Sequence, residues 1–124
     1  MPRLPAGLAL AVAFLTLAAC AGLREPATAP AEPGAVAALD RYAPNQCNPA
    51  VAEALAGARI PIAQVEGVVY GLYRDLNRDR IVMYDAWVKL RGQPGSVVVQ
   101  LDEYCFLRQV YTRGGAQLPD PARG

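Results

Sequence analysis

Apolar and polar positions divide the chain into stretches with different rhythms. An uncharged apolar run extends from Gly7 to Leu17 and shows no periodic face. Residues 22–34 have no periodicity either and carry three prolines. Helical spacing begins at Ala35, where Val36, Leu39 and Tyr42 recur every third residue until Pro44 intervenes, which predicts a short helix over Ala35–Tyr42. A second helix is better marked. Asn48 suits an N-cap, Pro49 suits the first helical position, Val51 and Leu55 form an i, i+4 apolar pair, and Gly57 stops the run. Alanines fill its remaining positions, so it is narrow enough to lie close against a sheet. A helix this short is marginal alone and must be held by packing.

After Ile60-Pro61-Ile62 the composition turns to valine, tyrosine, isoleucine and tryptophan, the side chains that suit a pleated, half-buried surface. The pattern predicts a strand over Val65–Tyr73, a polar turn at Asp75–Asp79, and a strand over Ile81–Leu90. In the latter, Val82, Tyr84, Ala86, Val88 and Leu90 form the expected core face, with Ile81, Met83, Asp85, Trp87 and Lys89 opposite. Arg91–Gly95 reads as a turn. Ser96–Thr112 is too long for one common strand and is read as a hairpin turning at Asp102–Cys105. Val97, Val99 and Leu101 share a face on its first arm, and Phe106, Arg108, Val110 and Thr112 share one on its second. The expected fold is therefore α+β: one or two short N-terminal helices packed on a three- to four-stranded antiparallel sheet. It occupies residues 35–113, with residues 114–124 a flexible tail.

The apolar N-terminal run, preceded by Arg3, has the layout of a signal peptide and is too short to span a bilayer, which needs about 20 apolar residues. It ends in Leu17-Ala18-Ala19-Cys20, which resembles the lipobox of bacterial lipoproteins. The resemblance implies cleavage after residue 19 and a lipid on Cys20. An ordinary secretory signal is the alternative, because Ala19-Cys20-Ala21 also satisfies a small-x-small cleavage rule. In the lipoprotein family an Asp after the cysteine can mark inner-membrane retention. Ala21 stands there, so the expected location is the cell envelope, in the outer membrane facing the periplasm. Residues 1–19 are then a signal peptide and residues 20–34 a lipidated N-terminus and proline-rich tether. The rival reading is that this segment packs on the domain.

Removing residues 1–19 leaves 105 residues with eleven basic and eleven acidic side chains. That balance gives no footprint for nucleic acid. With Cys20 assigned to lipid, Cys47 and Cys105 remain, and an even remainder in an exported protein predicts a disulfide between helix start and hairpin turn. A redox-active pair is the rival, without a Cys-x-x-Cys motif to support it.

The chain contains no histidine, so imidazole metal sites and imidazole catalytic dyads are excluded. Ser96 is its one serine and lacks a nucleophile-elbow context. Asp75-x-Asn77-x-Asp79 resembles the opening of a calcium loop, but Arg80 stands where that loop needs glycine and Ala86 where it needs glutamate, so a hairpin turn is the expected reading. Asp85, Asp102 and Glu103 do not form a recognisable catalytic pair. No enzyme, cofactor or metal is expected. What remains is a surface of interface-type residues, with Trp87, Tyr73, Arg74 and Arg108 as its candidates and Trp87 the sharpest, lying opposite the core set.

Lipobox, tether, short helix and sheet together resemble the small outer-membrane lipoproteins of the SmpA/OmlA type, which assist β-barrel assembly. The similarity rests on Val51-Ala52-Glu53-Ala54-Leu55 leading into strands and on the closing hairpin from Val97 to Val110, with Cys105 where that family's turn has glycine. It implies a non-catalytic, membrane-anchored protein-interaction module in envelope assembly or maintenance, reaching the membrane through Cys20 and an envelope protein through its surface. An anchored ligand-binding or hydrolase-inhibitor module, with Arg74–Arg80 as the inserting loop, is the alternative.

Overall fold

Helix α1 (Ala35–Tyr42) and helix α2 (Asn48–Gly57) precede a single 3-10 turn at Ile62–Gln64 and four strands: β1 (Val65–Asp75), β2 (Arg80–Leu90), β3 (Ser96–Asp102) and β4 (Leu107–Arg113). The computed structural model describes residues 26–119. The lipobox and Cys20 lie outside them. The strands form one antiparallel sheet in the order β1-β2-β3-β4, each joined to the next by a short turn. The fold is the expected α+β arrangement of two short helices on a four-stranded antiparallel sheet.

Period-two patterning puts one face of the sheet under the helices. Val68 of β1, Ala86, Val88 and Leu90 of β2, and Val97, Val99 and Leu101 of β3 are buried against Leu39 of α1, Val51, Ala54 and Leu55 of α2, and Ile60. Ala52 and Ala54 are themselves buried, so the small side chains of α2 do allow its backbone to approach the sheet. The core face read for β2 holds at Ala86, Val88 and Leu90, while Tyr84 and Val82 toward the hairpin tip are half-buried.

The second arm of the closing hairpin departs from simple alternation. Gln100 faces Gln109 and Leu101 faces Leu107, so one extra residue, Arg108, sits in a bulge on β4. Leu107 and Val110 consequently both pack against the core. Phe106, expected to share a face with Val110, is exposed.

Asn48 also differs from its expected role. It opens α2 but does not cap it: the side chain is fully buried, with Nδ2 donating to Asp40 Oδ1 at 2.6 Å and to the Ala43 carbonyl at 2.9 Å. Its Oδ1 accepts from the Tyr70 hydroxyl at 2.5 Å. One residue thereby ties α1, α2 and β1 together.

Cys47 and Cys105 form the disulfide, with their Cα atoms 5.1 Å apart and a sequence separation of 58. Cys105 adopts φ +68° in the β3–β4 turn, the backbone region that glycine favours. Asp102 Oδ1 organises that turn by accepting from the Tyr104 and Phe106 amides, both at 2.9 Å.

Both segments flanking the domain touch it. In the stretch read as a tether, the Ala29 amide donates to the Glu53 carbonyl at 3.1 Å, and Glu32 accepts from the Ile62 amide at 2.7 Å. Residues 26–34 thus form a strap across α2. Beyond β4, Ala116 is buried and the Gln117 amide donates to Gln93 Oε1 at 2.9 Å, so the described start of the expected tail folds back on the β2–β3 turn. No helix among the described residues is long and apolar enough to cross a membrane.

Candidate functional site: the uncovered sheet face

The helices cover only one face. The other carries Val69, Gly71 and Tyr73 from β1, Met83, Asp85 and Trp87 from β2, Val98 and Gln100 from β3, and Gln109, Tyr111 and Arg113 from β4. Register aligns them in rows: Gly71, Asp85, Gln100 and Gln109 across one, and Val69, Trp87, Val98 and Tyr111 across the next.

The polar row is connected. Asp85 is 0% exposed although no helix covers it. Its Oδ2 accepts from the Tyr73 hydroxyl at 2.9 Å and its Oδ1 from Gln100 Nε2 at 3.1 Å, while Gln100 Oε1 accepts from Gln109 Nε2 at 2.9 Å. A buried carboxylate is tolerable only with such partners. Donating to Asp85 raises the Tyr73 pKa above its ordinary value, with the negative charge of Asp85 adding to the effect and the nearby Arg113 opposing it.

The glycine opposite Asp85 gives the indole its place. A Cβ at Gly71 would stand 3.5 Å from Trp87 Nε1 and 3.8 Å from the Asp85 Cβ, so Trp87 reaches over a residue without a side chain and helps shield the carboxylate beneath. Val98, flanked in register by Trp87 and Tyr111, is fully buried on this face. The Arg113 guanidinium lies 5.8 Å from the Trp87 ring and 5.6 Å from the Tyr111 ring, within cation–π range of both. Among the described residues Arg113 forms no salt bridge, whereas Arg74, Arg78 and Arg80 each do.

Of the four residues read as a surface, the structure brings Trp87 and Tyr73 together around Asp85. Arg74 is at the end of β1, paired with Asp79 at 2.7 Å, and Arg108 is at the β4 bulge beside Val82, Met83, Asp102 and Glu103. Asp85, Gln100, Gln109 and Arg113 were not read as members of this surface. The available signal was positional: Asp85 is two residues from Trp87 on one strand, and Gln100 occupies the same face of the next.

The Asp75–Asp79 turn uses its oxygens locally. Asp75 Oδ1 accepts from the Asn77 amide at 2.9 Å, and Asp79 pairs with Arg74. Among the described residues no three His, Cys, Asp or Glu side chains converge as a metal site. A cleft of about 490 Å³ lies between the strap, the end of α2, β4 and residues 118–119, with a largely apolar lining that includes Ala27, Ala58, Val110 and Leu118. Comparison with protein-family models, curated proteins and solved structures returns no match.

Proposed function

We propose that the chain is a non-catalytic, lipid-anchored envelope module that binds a protein partner through the uncovered face of its sheet. The observation that carries this reading is a solvent-facing sheet surface organised like an interface: rigid aromatic side chains over a pre-formed polar row, with a cation held on two rings and without a carboxylate partner among the described residues. Aromatic residues and arginine are the types enriched where proteins meet, and a pre-organised surface loses little entropy on binding. The complementary partner presents a flat apolar patch with a carboxylate placed for Arg113. The lipid on Cys20 confines the search for that partner to the envelope, in the outer membrane facing the periplasm.

Two measurements test the proposal. Cys20→Ala should move the chain from the membrane fraction to the soluble envelope fraction. A photo-crosslinking residue at Gln109, at the border of the face, should capture an envelope protein from intact cells. Arg113→Ala should reduce that capture at least tenfold while leaving the melting temperature within a few degrees, and Trp87→Ala should reduce it as far while also lowering the melting temperature, because the indole shields Asp85. Unchanged capture in both variants overturns the assignment of the face.

One observation favours a second reading. The β1–β2 hairpin projects beyond β3, since β2 residues 80–82 have no partner there, and Leu76 at its tip is 85% exposed. Such a tip suits insertion into a cleft, as in an anchored hydrolase inhibitor. Leu76→Asp abolishing inhibition of an envelope hydrolase would favour this reading over the first.

A further inference from the structure

The two edges of the sheet are not equivalent. Residues of β4 line a cleft with the strap and residues 118–119, and β4 is short. Strand β1 runs for eleven residues. Alternate residues of an edge strand turn their backbone N–H and C=O outward. Among the described residues, the hydrogen bonds that reach the β1 backbone from outside the sheet, from the Tyr42 hydroxyl to the Val65 carbonyl and from the Val65 amide to the Ile62 carbonyl, both lie at the extreme end of the strand. Three exposed apolar side chains stand here as well: Val69 is 68% exposed, Leu72 55% and Tyr73 49%. A long apolar edge without proline or lysine is a template for another strand.

The order of residues along β1 selects the occupant. We propose that β1 pairs antiparallel with β1 of a second copy of this chain, about a two-fold axis at Tyr70, joining two four-stranded sheets into one of eight strands. In that register Val69 faces Gly71 of the other copy, Val68 faces Leu72, Gly67 faces Tyr73 and Glu66 faces Arg74. Each match is complementary. Gly67 has open space where a side chain would be, with nothing within 4 Å of an added Cβ, so the other copy's Tyr73 fits beside it without clash while its hydroxyl stays on its own Asp85. Leu72, exposed in one copy, gains Val68 as a neighbour. Glu66 is the extra residue of the bulge between Val65 and Gly67, which places its carboxylate at the rim of the regular stretch. Arg74 meets it there with the part of its guanidinium that Asp79 leaves free.

Neighbouring registers lose these matches. A centre at Val69 sets Glu66 against Leu72, and a centre at Gly71 sets Arg74 against Val68. An isologous contact of this kind closes on itself as a dimer. It goes beyond the proposed partner-binding face, since it joins sheet edges and leaves Trp87, Tyr111 and Arg113 of that face open on both copies.

Charge reversal tests the register. Glu66→Arg alone sets arginine against arginine twice per dimer, and Arg74→Glu alone sets glutamate against glutamate twice. Mixing the two variants restores both opposite-charge pairs in the heterodimer. In sedimentation velocity of the full chain with its disulfide intact, solubilised in detergent, the unaltered protein should dimerise. Each variant alone should dimerise about tenfold more weakly, and the equimolar mixture should recover the original affinity as heterodimers. That recovery also shows that both variants fold. A photo-crosslinking residue at Val69 should yield a product of twice the chain's mass. The proposal is overturned by an unaltered protein that stays monomeric at all concentrations, by a mixture no tighter than the single variants, or by a Val69 crosslink that reaches only a different envelope protein.

Discussion

Asn48 fills three of its hydrogen-bonding positions inside the domain, and that decides what its removal does. Asn48→Ala would leave the Tyr70 hydroxyl and the Ala43 carbonyl without their partner in a buried site, a loss of about 2–3 kcal/mol in urea unfolding. Tyr70→Phe removes one bond from the same network and should cost about 1 kcal/mol, and the two effects should not add. The same tyrosine gives the domain an alkaline limit. Burial, with the charge of Asp40 added, raises the Tyr70 pKa, and hydrogen bonding to Asp85 raises that of Tyr73. A raised pKa means that the folded state favours the neutral phenol. The stabilisation is complete below the ordinary value of 10.0 and is lost as pH rises above it toward the folded-state values. Melting temperature should therefore fall above pH 10, and Tyr70→Phe should flatten that fall. None of this was legible locally. Asn48 precedes a proline at a helix start, where asparagine reads as a cap, and the partner that ties it to the sheet lies 22 residues away. Asp85 was equally hidden, because its two donors come from the strands on either side.

At the level of elements, the periodicities carried most of the architecture. Both helices and all four strands stand where spacing and alternation put them, because one face of each is buried against one core. The β4 bulge broke the pattern. Nothing in Leu107-Arg108-Gln109 punctuates the strand, and the shift is visible only as the pairing of Leu101 with Leu107. The strap escaped for a related reason: its contacts run to backbone groups of the domain, the Glu53 carbonyl and the Ile62 amide, which composition does not report. Gly57 records it indirectly. A Cβ there would lie 2.1 Å from the Ala27 carbonyl oxygen, so the residue that ends α2 also admits the strap. In a free helix, Gly→Ala stabilises by roughly 0.5–1 kcal/mol. Gly57→Ala should instead destabilise the domain, by about 1 kcal/mol, as the strap is pushed off. Faster hydrogen exchange at the Ala29 amide, with β-strand amides unchanged, would locate the damage. Equal or greater stability with Ala29 still protected would mean that the strap has another seat.

For the molecule as a whole, the Cys47–Cys105 bond is the constraint with the longest reach. Its pairing was legible by counting, since assigning Cys20 to lipid left two cysteines at a helix start and a hairpin turn. The fold shows why the bond matters there. Helix α2 crosses from the β3–β4 turn toward the strap with Val51 and Leu55 as the only large apolar side chains on its buried face, so its packing area is small, and the disulfide fixes one end of it to the sheet. A link across 58 residues restricts the unfolded chain by about 4 kcal/mol in the chain-entropy account, a large fraction of the stability available to so small a domain. Replacing both cysteines, Cys47→Ser with Cys105→Ser, should lower unfolding free energy by about that amount and leave any remaining fold with a less protected α2. The double replacement avoids a lone thiol that could pair between copies. Cys20→Ser makes the contrasting control. If Cys20 carries lipid and not a share of the disulfide, its loss should leave the denaturant midpoint unchanged while releasing the chain from the membrane. A midpoint that falls with Cys20→Ser would mean that anchor and fold are coupled through the segment between Cys20 and the strap. An unchanged midpoint after loss of both Cys47 and Cys105 would place the stability of the domain in its core and in the Asn48 network.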